Sequence, residues 1–319
     1  MSSTAVHKDL PTHQAYQTQQ APCSISEALI NLRLDIQNAD KDRDECCWLK
    51  TGLADFDEAF QGLRLGAVTV LASRPSMGRS ALALNIATNV GIHQKIPTLY
   101  VSLDMPIWQL SMRIAALLGN IEVSALQEGK LTLEQAYQFS SAIGKAYNAP
   151  LHLMHHPYID IDSLCKQIRG FAQRQQDQQG DHDQKTISPL SLLVIDDLGY
   201  ADLQMKMGGG EFTAAYENAM YLLKDLAIEL NIAILLLSTI NPSAEERENK
   251  RPVFTDLPSI ALARQSDALL FLYRDEVYHP EGEHRSRAEL IVAKNQHDLT
   301  GTVFLKTDLK YGRFGSSLP

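Results

Sequence analysis

Residues Val68 to Ala81 read VTVLASRPSMGRSA, and this stretch decides the fold. Val68, Val70, Leu71 and Ala72 form a short apolar run of the kind a buried strand carries. Ser73, Arg74, Pro75, Ser76, Met77 and Gly78 form a loop, and Ser80 opens a helical pattern. Strand, loop and helix in that order bring backbone N–H groups and a helix N-terminus to one point, an arrangement that holds phosphate. The phosphate-loop pattern asks for Gly, four residues, Gly, Lys, then Ser or Thr. Gly78 and Ser80 satisfy it. Ser73 stands at the first Gly and Arg79 at the Lys, so a strict motif match fails and the surrounding chain must carry the reading.

Downstream, strands and helices alternate. Pro97–Leu103 (PTLYVSL) reads as a second strand, followed by a helix that Pro106 opens at its first turn. Thr132–Tyr147 reads as helix, Leu151–Met154 as strand and Ile161–Gln173 as helix. The polar run Arg174–Lys185 reads as a surface loop. Leu192–Ile195 is a strand ending at Asp196; Gly208–Gly210 mark a mobile loop before a helix over Phe212–Leu230. Strands follow at Ile232–Leu237 and Ala268–Tyr273, and Ala288–Phe314 reads as antiparallel strands. The pattern predicts an α/β fold with a mostly parallel sheet. Ligands of such sheets bind at the carboxyl ends of the strands, so Ser73–Ser80, Asp104 and Asp196 are expected to share one site.

Upstream, residues 1–23 are rich in Gln, Thr, His and Pro and are expected to be a disordered tail. Residues 24–47 are expected to hold a linker helix and a charged linker. Ser24 and Glu27 suit a capping box, Ile25, Leu29, Leu32 and Ile36 recur at helical spacing, and NADKDRDECC closes the segment. The apolar stripe of that helix packs either on its own domain or on a neighbouring subunit, and its residues favour neither. Residues 48–319 then form one large domain.

The 319 residues are 45% hydrophobic and 21% charged, ordinary for a globular chain. A formal net charge of −9 gives no general attraction to nucleic acid or anionic membrane, so any DNA contact needs a local basic patch. Cys23, Cys46, Cys47 and Cys165 have no metal or CxxC spacing. The polar N-terminus lacks the apolar stretch of a signal peptide, and no run spans a bilayer. A cytoplasmic location and no membrane partner are expected.

Assembled, these residues resemble the RecA-like motor domain of the DnaB-type replicative helicases. The likeness runs from about Trp48 to Phe314. TGLADFDEAFQGL resembles the family's entry segment, and SRPSMGRSALALNIA its phosphate loop and first helix. YVSLDMP resembles the strand with the catalytic acid, and LLVIDDL the magnesium-binding strand. RPVFTDL followed by DALLFLYRDEVYH is the most specific match, and Gly301–Val303 and the closing GRF also fit. The resemblance implies a RecA-like P-loop NTPase fold with helices on both faces of the sheet and antiparallel C-terminal strands. The family's N-terminal domain has no counterpart among these residues. The Ser24–Gln37 helix stands at the position of the linker helix, which tilts its docking toward a neighbouring subunit.

The resemblance also assigns roles. ATP is expected to bind at Arg74, Pro75, Ser76, Met77, Gly78, Arg79, Ser80 and Ala81, with Mg held by Ser80 and Asp196. Asp104 stands where the family has a water-activating Glu, and Thr239 where it has a Gln that senses the γ-phosphate. Lys294 matches a Lys extended into the neighbour's site, and Gln296 replaces the arginine finger. Between Asp256 and Asp267 the family's DNA-contacting loop is replaced by PSIALA, Pro258–Ala263, with Lys250, Arg251 and Arg264 as the nearby cations. Asp197 is expected to point across the strand, away from the nucleotide. His152, His155 and His156 read as structural, and Gly208–Gly210 either as a plain connection or as a grip on DNA.

Two functions follow as expectations. One is a DNA-dependent ATPase or helicase motor with attenuated turnover, forming a homo-oligomeric ring, hexameric if it follows the family, on single-stranded DNA. The other is a non-catalytic paralogue that co-assembles with a DnaB helicase. A recombination or clock ATPase shares the core but lacks YRDEVYH.

Overall fold

Apolar residues alternating along short strands build the central sheet of this protein, seen in a computed structural model. It describes residues 25–26, 47–179, 188–201, 209–282, 285–296 and 299–316. The chain divides into two units, Met1–Cys47 and Trp48–Pro319. In the first, only Ile25 and Ser26 (helical) and Cys47 are described, so the disordered tail, the charged linker and most of the linker helix lie outside the described residues.

The second unit begins with two short strands, β1 (Trp48–Leu49) and β2 (Leu63–Arg64), that bracket α1 (Ala54–Phe60). Then come β3 (Val68–Ser73), α2 (Arg79–Thr88), β4 (Thr98–Ser102), α3 (Ile107–Gly119), α4 (Val123–Glu128), α5 (Leu133–Ala146) and β5 (Leu151–His155). After them follow α6 (Ile161–Gln179), β6 (Leu192–Asp196), α7 (Gly209–Leu230), β7 (Ala233–Thr239), α8 (Ile260–Gln265) and β8 (Ala268–Tyr273). The strands β9 (Arg287–Asn295), β10 (Gly301–Asp308) and β11 (Arg313–Ser316) close the unit. The sheet order is β11-β10-β9-β8-β3-β7-β6-β4-β5, with β3 to β8 parallel and β8 to β11 joined antiparallel.

Strand alternation gives the sheet two buried faces. Leu71, Tyr100, Val194, Leu235 and Leu237 face one way and pack with Leu82, Ile86 and Leu110 of α2 and α3. Val70, Ala72, Val101, Ile195 and Leu236 face the other way and pack with Leu164, Ile168, Met220 and Leu223 of α6 and α7. Central strands buried on both faces explain the continuous apolar runs in the sequence. β10 is an exception in pattern: Val303, Leu305 and Thr307 are buried and alternate with exposed residues, as expected of a strand covered on one side.

The structure corrects three boundaries. α6 runs on to Gln179, so Arg174–Gln179 is helix rather than loop; Arg and Gln are good helix formers, and Gln173 Nε2 donates to Asp177 Oδ1 one turn on (2.9 Å). Gly209 and Gly210 open α7 instead of preceding it, while Gly208 lies outside the described residues. Pro106 is the N-cap of α3 rather than its first residue. Thr132, by contrast, forms a full capping box with Gln135, satisfying orphan N–H groups at the start of α5.

Candidate nucleotide site

The loop between β3 and α2 turns on two residues with positive φ, Ser76 (+67°) and Gly78 (+90°). Gly78 is the N-cap of α2 and has no side-chain cap, so the first-turn N–H groups of α2 face the loop without a partner inside the helix. These groups and the helix dipole form the cradle for an anion. Met77 is buried beneath it. A Cβ on Gly78 would stand 2.9 Å from Phe314 Cζ, because β11 packs over the start of the helix. Asn85 of α2 fixes that strand, accepting from Phe314 N (3.1 Å) and donating to the Gly312 carbonyl (2.6 Å). Gly78→Ala is therefore expected to cost about 1–3 kcal/mol, from a strained backbone and a clash with Phe314. A lowered denaturation midpoint with loss of nucleotide affinity is the expected reading.

Three strand ends converge on this cradle. Asp196 closes β6 and is almost wholly buried. Its Oδ1 accepts from Ser80 Oγ (3.1 Å) and its Oδ2 from the Tyr100 hydroxyl (2.6 Å). Burial raises the Asp196 pKa; the hydrogen bonds from Tyr100 and Ser80 and the nearby Arg79 charge oppose that rise without cancelling it. Burial, and then the Asp196 charge, push the Tyr100 phenol well above its ordinary value, so it stays a donor. The Ser80 and Asp196 oxygens are hard donors, and the 3.1 Å between them matches about 3.0 Å between neighbouring ligands of an octahedral Mg²⁺. These residues fit magnesium. When bound, the ion would supply positive charge to phosphate oxygens.

Arg79 lies across the base of the loop, its Nη1 donating to the Ser73 carbonyl (3.4 Å), and its head group turns to the ends of β6 and β7. Its Nη2 pairs with Asp197 Oδ2 and donates to Thr239 Oγ1 (3.0 Å), while Thr239 donates to the same Asp197 oxygen (2.6 Å). The second Asp197 oxygen accepts from Gly199 N (2.9 Å). The expectation that Asp197 points away is thus corrected. Alternation along β6 ends at Asp196, and Asp197 belongs to the turn that follows, where Leu198–Tyr200 form a 3₁₀ segment. The Arg79 and Asp197 side chains are 12% and 3% exposed, so the pair is screened from water. Removing one partner of a pair of this burial costs about 3–5 kcal/mol, so Asp197 is a strong holder of the guanidinium.

The other arginines at the loop are also engaged. Arg74 Nε binds Glu245 Oε1 (2.7 Å), which also accepts from the Tyr278 hydroxyl (3.0 Å). Arg274 pairs with Glu276 and donates through Nη1 to the Ser76 carbonyl (3.1 Å). YRDEVYH, Tyr273–His279, thus braces the loop from β8, which is the physical reason for a string so specific.

Of the remaining candidates, Thr239 ends β7 beside the cradle and Asp104 lies exposed two residues past β4. The Asp104 charge is the first cause of the raised Tyr200 pKa, so the two stand within electrostatic reach. Lys294 and Gln296 are not brought to this cradle. They lie at the opposite end of the sheet, where Ala268 pairs with Asn295 and with Thr69 near the start of β3. Lys294 Nζ is turned into its own chain, donating to the carbonyls of Ala263 (2.8 Å), Arg264 (3.1 Å) and Ser266 (2.5 Å) at the end of α8. Burial lowers its pKa. Gln296 Nε2 reaches the Ser266 carbonyl (3.4 Å).

The segment expected as an altered DNA loop is folded. Ser259 caps α8, and Ala261, Leu262 and Ala263 are buried in it. Arg251 is held by Glu289 through two hydrogen bonds (2.6 and 2.7 Å), and Lys250 donates to the Glu245 carbonyl (2.6 Å). Arg247, absent from the sequence reading, binds buried Asp256 through both oxygens (2.6 and 2.7 Å). Sequence reasoning also missed Tyr100. Counting back by twos from Ser102 puts it on the face of Leu71 and Val194, toward Asp196. Among the described residues no His, Cys, Asp or Glu group could hold a metal by clustering; His152 packs edge-on against Phe171 (5.0 Å between centroids) and burial lowers its pKa. No helix among them is long and apolar enough to cross a membrane.

Comparison with known proteins agrees with this geometry. Residues 48–316 match the DnaB-like helicase C terminal domain. The chain is 30% identical over 296 residues to the replicative DNA helicase DnaB of Geobacillus stearothermophilus, covering 91% of this chain and 61% of that protein. It is 29% identical over 294 residues to the replicative DNA helicase DnaC of Bacillus subtilis (strain 168), with 91% and 61% covered. The chain therefore spans about three fifths of the length of these relatives. A solved ATPase domain superposes with a TM-score of 0.77 at 25% identity, covering 93% of this chain and 99% of that one. A DnaB-like replicative helicase, solved in a study of its interactions with primase, gives 0.76 at 25% identity, covering 95% and 69%. The RecA-like α/β fold, the braced loop and these matches agree: the chain belongs to the family of DnaB-like helicase C-terminal domains.

Proposed function

We propose that this protein binds ATP and magnesium at the cradle of Arg74 to Ala81, with Ser80 and Asp196 on the metal, and hydrolyses ATP slowly. The observation that carries the reading is the Ser80–Asp196 contact at the start of an uncapped helix. Phosphoryl transfer depends on charge placed at the γ-phosphate and on an oriented water. Here Arg79 is held by Asp197, Thr239 is occupied in the same pair, and Asp104 ends one methylene short of a Glu. A misplacement of ~1 Å costs about a hundredfold in rate, and an absent arginine finger about 10³ to 10⁵. The losses are not multiplicative, but one alone leaves a slow motor.

The family links this activity to DNA replication and single-stranded DNA, on a ring of like subunits or in co-assembly with a DnaB helicase. Exposed apolar side chains on and just after α5, Leu133, Tyr137, Ile143 and Tyr147, offer surface of the kind buried between chains. The Arg79–Asp197 pair favours the second reading, a nucleotide-binding partner that does not turn over. Phosphate release at saturating ATP and magnesium, with and without single-stranded DNA, separates the two. DNA-stimulated turnover that Asp196→Ala abolishes supports the slow motor. Background release despite measurable nucleotide binding supports the silent partner, and absence of both binding and release refutes the proposal.

A further inference from the structure

The arginines that touch the loop share one property: each already has a carboxylate. Arg74 has Glu245, Arg274 has Glu276 and Arg79 has Asp197. The consequences differ along a nucleotide. In a phosphate loop the backbone N–H groups cradle the α- and β-phosphates, while the cation at the Arg79 position reaches the β- and γ-phosphates, so the γ-phosphate depends on it most. The N–H cradle is intact here, since it needs only Ser76 and Gly78 in their positive-φ conformations and an uncapped α2. The outer position is changed. Its cation is neutralised by Asp197, which is buried, accepts from Arg79, Thr239 and Gly199, and has no spare reason to let go.

We propose that Asp197 is a specificity residue: by holding the Arg79 guanidinium it leaves the outermost phosphate without a free cation, so the site takes a nucleoside diphosphate at least as tightly as the triphosphate. The proposal rests on the nucleotide-binding reading above and adds a direction to it. A γ-phosphate brings further negative charge to a place where the guanidinium charge is already balanced by Asp197. The diphosphate keeps the contacts that the loop still makes and avoids the ones it cannot make. Such a site reports the presence of nucleotide more than its phosphorylation state, unlike a motor that must tell ATP from ADP.

The test is a calorimetric titration of the full chain with ADP and with ATP, each with excess magnesium, in the parent and in Asp197→Asn. The parent is expected to bind ADP at least as tightly as ATP. Asp197→Asn releases the guanidinium and is expected to move the affinity ratio about tenfold toward ATP, the worth of one hydrogen bond to a charged group. A parent that prefers ATP tenfold overturns the inference and leaves the nucleotide-binding reading standing. So does a folded Asp197→Asn whose ratio does not move. A parent that binds neither nucleotide overturns both. Should Asp197→Asn fail to fold, the parent's own ratio still decides.

Discussion

Asp196→Asn is expected to remove the magnesium-dependent part of the proposed nucleotide binding while the protein itself melts no lower than its parent. The carboxylate is almost wholly buried, and burial raises its pKa in the folded chain above the unfolded value. The sign follows from linkage. A carboxyl with a raised folded pKa adds stability below the unfolded value near 3.9, and that stability is lost as pH rises through the raised value. Above the raised value the ionised carboxylate is therefore a burden, which an isosteric amide removes. The amide oxygen can go on accepting from Tyr100 while its nitrogen donates to Ser80 Oγ, whose hydroxyl rotates to suit. With nucleotide and magnesium at about 100 times the dissociation constant, the parent gains about 2.7 kcal/mol of stability. The variant is expected to lack the magnesium share of that gain. Denaturant midpoints with and without magnesium, followed from about pH 4 to about pH 7, check both halves. A variant that keeps the magnesium response removes Asp196 from the metal site.

The second large effect is a restored motor. Arg79→Lys, Asp104→Glu and Gln296→Arg introduce the residues that the family resemblance implies at these positions, but Asp197 remains to capture whichever cation stands at position 79. The triple variant alone is expected to recover little turnover. Adding Asp197→Asn frees the new ammonium for phosphate, and steady-state phosphate release on single-stranded DNA is expected to rise by at least about a hundredfold, the scale of a repositioned catalytic group. An Arg introduced at position 296 is expected to contribute only if a like subunit brings it to a neighbour's cradle. In its own chain that position lies at the end of the sheet opposite the cradle. If the fourfold variant is no faster than the parent, the account of the defect is wrong.

Much of this site was legible in the sequence because strand parity is a strong constraint. VTVLAS, LLVID and AILLLST carry apolar residues on both faces, and their last residues, Ser73, Asp196 and Thr239, fall on the face of α2. Tyr100 obeys the same parity and was readable in principle. Asp197 was misread because parity was extended past the strand, into a turn that obeys different geometry. Its partner was hidden too: Arg79 is 118 residues away in the chain, and no local pattern ties two such positions. The inward turn of Lys294 and the folding of Pro258–Ala263 depend likewise on where α8 ends, which tertiary packing decides. Propensity misjudged Arg174–Gln179 because polarity suggests a loop, whereas Gln and Arg sustain a helix well.

The central claim is that backbone N–H groups from Ser76 to Ala81 still hold phosphate although the guanidinium of Arg79 is committed elsewhere. Amide hydrogen exchange over this loop, with and without saturating ADP and magnesium, tests it most directly. The account predicts slowed exchange for residues 76–81 on adding nucleotide, absent in Gly78→Ala. Exchange in the loop that is unchanged by nucleotide would contradict it.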